Sequence, residues 1–82
     1  MRRFEGHRPD PPAEYVTKGI SNGGITGNGK PDYEGVIFSD GTVVVRWCTA
    51  YQSHSVWANW DDFYHVHGHP EYGTTIHWLD PV

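Results

Sequence analysis

The 82-residue chain has one cysteine, Cys48, which excludes an internal disulfide. No stretch approaches the ~18 apolar residues of a membrane span. Six Lys and Arg against ten Asp and Glu leave a formal charge of −4. That balance does not favour general affinity for nucleic acid or anionic membrane, although protonating the six histidines would reverse its sign. No apolar signal segment opens the chain, and with a single cysteine this predicts a cytoplasmic protein. There is no internal repeat, no convergent catalytic set and no cofactor motif, so neither an enzyme nor a cofactor is expected. What the chain does have is aromatic: four Trp, five Tyr and three Phe. At this length they imply a single domain with a small aromatic core, to which dimerisation would add burial.

The organising stretch is Tyr33–Cys48, YEGVIFSDGTVVVRWC. Two β-rich runs flank Asp40-Gly41, a pair suited to a two-residue type I′ turn. Such a turn sets Ser39 opposite Thr42, Phe38 opposite Val43, Val36 opposite Val45 and Glu34 opposite Trp47. Val36, Phe38, Val43, Val45 and Trp47 then form the core face, and Tyr33, Ile37, Val44, Arg46 and Cys48 the other. A hairpin apolar on both faces suits a strongly bent sheet covered on both sides, as in a small barrel.

Residues 1–13, with Pro9, Pro11 and Pro12, read as an extended or disordered arm, because those prolines cannot continue a ladder. Residues 14–82 make the domain. Within it Glu14–Ile20 alternates as a first strand, and Ser21–Asp32 is a Gly/Asn-rich loop. Gly24–Lys30 satisfies G-x-x-x-x-G-K, but Pro31 and Asp32 follow where a phosphate loop needs Ser or Thr and a helix, so it reads as a plain loop. His54–Ala58 is a strand. Asn59 is a good N-cap answered by Asp62, and Trp60, Phe63, Tyr64 and His67 share one helical face. The helix Trp60–His67 should end at a left-handed Gly68. Thr74–Leu79 is the last strand. The expected fold is α+β and mainly β: a small bent antiparallel sheet, SH3-like or barrel-like, ordered β-β-β-β-α-β with the helix before the last strand.

Several side chains invite chemistry. His65, His67 and His69 resemble a zinc set, but on a helix the first two point about 200° apart, which favours structural roles over metal. Nothing near Cys48 activates it as a nucleophile, and Asp61-Asp62 suits the positive end of the helix dipole. Arg46 should pair with Glu34 or an aspartate, or stack on Trp57. Trp57 and Tyr51, read as outward, would form with Arg46 a patch for a protein partner. A small barrel that binds nucleic acid through Arg2, Arg3, Arg8, Lys18, Lys30 and Arg46 is the alternative, weakened by the scarcity of cations.

Gly35, Val36, Phe38–Val43, Arg46 and Trp47, then Val66–His69, then Trp78–Asp80, follow the pattern G-V-x-F-S-D-G-T-V-x-x-R-W … V-H-G-H … W-L-D. Over about Gly23–Asp80 the chain resembles a set of small proteins of actinobacteria and their phages. That resemblance carries no activity across. It implies a self-contained domain and a phage origin, with action on a host component in the host cytoplasm. The leading expectation is therefore a non-enzymatic protein-interaction module.

Overall fold

A computed structural model describes residues 1–21 and 30–82. The elements run β1 (Arg2–His7), α1 (Ala13–Thr17), β2 (Tyr33–Ile37), β3 (Val43–Trp47), β4 (Ser53–Trp57), α2 (Trp60–His67), a 3-10 turn (Pro70–Tyr72) and β5 (Thr75–Trp78). All five strands join one antiparallel sheet in the order β4-β3-β2-β1-β5.

The β2–β3 hairpin forms, but its turn differs from the expected one. Phe38 N–H donates to Thr42 O at 2.8 Å, and Gly41 N–H to Phe38 O at 2.9 Å. Gly41 takes φ +92°, while Asp40 is not among the residues at positive φ, which a type I′ turn would require. The loop is therefore Ser39-Asp40-Gly41, a type I turn closed by a left-handed glycine. Thr42 N–H donates to Asp40 Oδ1 at 2.9 Å, which also holds that carboxyl below its usual range.

One extra loop residue shifts the register by one. Ile37 now faces Val43, Val36 faces Val44, Gly35 faces Val45, Glu34 faces Arg46 and Tyr33 faces Trp47. Val43, Val45 and Trp47 point to the core as expected, but β2 is inverted. Tyr33, Gly35 and Ile37 turn inward, and Glu34 and Val36 outward. The outer face of the hairpin is thus half polar and needs no second cover. The expected barrel or SH3-like closure does not form: β4 and β5 end the sheet on opposite sides, and it stays open.

The arm is the largest correction. Arg2–His7 is no appendage; it lies between β2 and β5, with Phe4 opposite both Gly35 and Trp78. The prolines begin at Pro9, beyond the strand, so every ladder donor in Arg2–His7 is present. Phe4 is fully buried, as are Tyr33, Val43, Val45 and Phe63.

The expected strand over Glu14–Ile20 is also overturned. Ala13–Thr17 is a short helix started at Pro12, with Lys18 N–H donating to Glu14 O at 2.9 Å and Thr17 Oγ1 to Ala13 O at 3.2 Å. A proline start, followed by the good helix formers Ala13 and Glu14, outweighs the alternation over Glu14–Ile20. Of the Gly/Asn-rich loop, residues 22–29, which hold most of the G-x-x-x-x-G-K match, lie outside the described residues.

Helix α2 has the expected bounds. Asp62 N–H donates to Asn59 Oδ1 at 2.8 Å and Asn59 Nδ2 to Asp62 Oδ2 at 3.3 Å, a reciprocal cap. Its end differs: Gly68 stays right-handed at φ −65°, and His69 takes the left-handed turn at φ 39° before Pro70. The helix lays Phe63 on the sheet, with ring centroids 5.5 Å from Tyr33, 6.0 Å from Phe4 and 6.1 Å from Trp57.

One core feature gives a direct prediction. The Tyr33 hydroxyl is buried without a hydrogen-bond partner, and burial pushes its pKa up to about 12. Tyr33→Phe should therefore leave stability unchanged or raise it by up to about 1 kcal/mol, read as the urea midpoint at constant slope. A loss larger than that would mean the hydroxyl is bonded in solution.

Candidate binding site

Asp32 ties together the end of the domain where a cavity opens. Its carboxylate accepts from Arg8 N–H at 2.7 Å and from Ser21 Oγ at 2.8 Å. Its own N–H donates to Gly6 O at 2.8 Å, and its carbonyl accepts from Cys48 N–H at 2.9 Å. Three other stretches of chain, at Gly6–Arg8, Ser21 and Cys48, are pinned there around a residue only 1 % exposed.

Beside this junction lies a cavity of about 250 Å³ between the sheet and the C-terminal end of α2. Buried Arg8 and Thr49 and half-buried Trp47 and His67 form its inner part, and exposed Ile20, Tyr51 and Ser53 its rim. Arg8 is 6 % exposed. Its Nη2 donates to His67 O at 2.7 Å, and its guanidinium lies 5.2 Å from the Tyr33 ring centroid and 5.5 Å from that of Trp47. Its Nε is buried and unpartnered. The His67 ring packs 4.8 Å from Trp47 and 5.3 Å from Trp57. Burial, with Arg8 and His69 nearby, lowers its pKa, so the neutral imidazole is favoured.

The residues singled out from sequence do not form one patch. Trp57 points inward with Val43, packs on Phe63 and donates Nε1–H to Ser55 Oγ at 3.1 Å. Arg46 is on the opposite face, where Nη1 meets Glu34 Oε1 at 2.9 Å, the pairing its strand position suggested. Tyr51 is 73 % exposed, at the cavity rim.

The cations are dispersed too. Arg2 stacks on Trp78 at 3.6 Å, and Arg3 forks Asp80 through two 2.9 Å bonds, which hold that carboxyl well below the usual range. Lys18 lies 3.9 Å from Glu14, and Lys30 is exposed. Arg8 is internal, so these six side chains line no single groove.

Among the described residues no group of three His, Cys, Asp or Glu side chains could hold a metal ion. His65 is exposed, His67 is packed in the aromatic cluster, and His69 stacks on Tyr72 with Nδ1 2.7 Å from Glu71 Oε1. Burial and the Glu34 charge raise the Cys48 pKa, which keeps it a thiol.

Sequence reasoning missed two features. One is Arg8, assigned to a solvated arm although its spacing from Phe4 and Gly6 continues their period of two. The other is His7 against His77, with ring centroids 4.4 Å apart and Glu5 Oε1 3.3 Å from His7 Nε2.

Among the described residues α2 covers one face of the sheet, and the other is lined by alternate side chains of the strands. Across it Arg3 faces Val36, Val36 faces Val44, and Val44 faces Val56. Val56, on edge strand β4, is 68 % exposed. A second row, His77, Glu5, Glu34, Arg46 and His54, runs beside the first.

These features define a small open-sheet α+β protein with an aromatic core and a half-apolar outer face. The chain belongs to the Acb5 phage protein family, whose model matches residues 18–80. No curated protein and no solved structure matches it. The phage origin implied by the sequence pattern thus stands at family level. Among the described residues no helix is long and apolar enough to cross a membrane.

Proposed function

We propose that this phage protein is a non-enzymatic accessory protein that binds a host protein in the host cytoplasm, by accepting an extended segment of that partner along β4. The observation that carries this reading is the valine row ending at Val56 on an unprotected edge. Ser53–Trp57 contains no Lys, Pro or carboxylate, the residues that normally blunt a free strand edge. A strand added there gains main-chain hydrogen bonds, and an apolar side chain opposite Val56 extends the row and covers it. This edge replaces the patch of Trp57, Tyr51 and Arg46 as the binding surface.

The test is comparative capture from lysate of the phage's host. Wild-type chain should recover a protein that Val56→Lys fails to recover, with affinity reduced at least about tenfold. Because Val56 is exposed, Val56→Lys should melt within a few degrees of wild type. Capture that does not depend on Val56 would overturn the proposal. So would a wild-type dimer that Val56→Lys converts to monomer, since that places a second copy of this chain at the edge.

A further inference from the structure

The Arg8 cavity is a separate feature from the β4 edge. A guanidinium carries five N–H donors. At Arg8 one hydrogen bond is made, to His67 O, while Nε is buried without a partner. Among the described residues no carboxylate forms an ion pair with this side chain, although Arg3 and Arg46 both have one. Ring faces at 5.2 and 5.5 Å offset part of the cost of burying the charge. They supply nothing to the in-plane donors. A largely buried cation that lines a cavity with Nη1 accessible and unbonded is arranged for an anion that arrives from outside.

We propose that this cavity binds a small aromatic monocarboxylate, its carboxylate held by the Arg8 guanidinium and its ring seated beside Trp47. The charge count selects a monoanion. Among the described lining residues Arg8 contributes the one fixed positive charge, and burial favours the neutral form of His67. A phosphate dianion would meet no second cation. A carboxylate can accept from Nη1, the guanidinium nitrogen that is neither buried nor hydrogen-bonded, in a charge-assisted bond. Size agrees: a cavity of about 250 Å³ lies just below the ~300–1,000 Å³ of ordinary small-molecule sites, which suits a ligand of one ring. Ser53 places a hydroxyl at the mouth, and Tyr51 can close over the bound ring.

Benzoate titrated into the full chain at constant ionic strength tests this, followed by the Arg8 Nε–H and Trp47 indole signals in nitrogen–proton correlation spectra. Both should shift saturably. The neutral isostere benzamide should bind at least about tenfold more weakly, the loss of one charge-assisted pair. Arg8→Ala removes a buried side chain of the fold, so the informative variant is Ser53→Asp at the exposed rim. It should weaken benzoate at least about fivefold by like-charge repulsion, and Ser53→Asn should not. Linear shifts with no saturation, equal response to benzamide, or insensitivity to Ser53→Asp would each overturn the proposal. Tighter binding of inorganic phosphate than of benzoate would overturn the carboxylate assignment.

Discussion

Deleting Met1–His7 should leave a chain that does not fold. As a solvated arm this segment could be lost without consequence. As β1 it supplies pairing to strands on both sides, and among the described residues β5 has no other neighbour in the sheet. The deletion also removes Phe4, fully buried and in ring contact with Tyr33, Trp60, Phe63 and Trp78. Truncating one such phenylalanine costs about 3–5 kcal/mol, against a total of about 5–15 kcal/mol for an ordinary domain. The rest of the loss includes the Arg3–Asp80 fork and the stacking of Arg2 on Trp78. Residues 8–82 should give a far-ultraviolet spectrum of disordered chain and collapsed amide dispersion. A dispersed, cooperatively melting product would show that β1 is dispensable after all.

What could be read in the sequence, and what could not, follows from how local each signal is. Helix α2 was legible to the residue because its evidence is contained in it: a cap at Asn59, an answering Asp62 and aromatics three and four apart. The hairpin was legible as a hairpin, but Asp-Gly serves two turns of different length. Choosing between them needed the inward demand of Tyr33, which comes from β1 and α2. β1 was obscured because its inward positions after Phe4 include a glycine where a large residue would have signalled a core strand. α1 was obscured because five residues are too few for a period of two to be told from a helical turn. At the candidate site, the Arg46–Glu34 pairing followed from strand proximity, whereas Trp57 was misassigned by one flip of face. The burial of Arg8 depends on Asp32, the end of α2 and the course of β1 together.

The glycines that hid the pattern should be among the least replaceable residues in the chain. On the inward face of β1 and β2, large and absent side chains alternate: Phe4 lies opposite Gly35, and Gly6 opposite Tyr33. Each ring lies across the glycine it faces. A β-carbon on Gly6 would sit 2.0 Å from Tyr33 Cζ, and one on Gly35 would sit 2.5 Å from Phe4 Cζ and 2.6 Å from Val44 O. Both rings are fully buried with further aromatic neighbours, so neither can swing aside without breaking contacts elsewhere. Overpacking of this kind costs about 1–3 kcal/mol and more where backbone must move, so Gly6→Ala and Gly35→Ala should each lose at least about 3 kcal/mol. Gly41→Ala is the control: a β-carbon there meets nothing within 4 Å, and its penalty is confined to a positive φ, about 1–2 kcal/mol. Urea unfolding of the three variants should therefore rank Gly41→Ala well above the other two. The pairing also predicts a rescue. Tyr33→Leu, which removes the ring, should recover much of the loss in Gly6→Ala and none of the loss in Gly35→Ala. Additive losses at Gly6 and Tyr33 would mean that the ring does not lie over the glycine in solution.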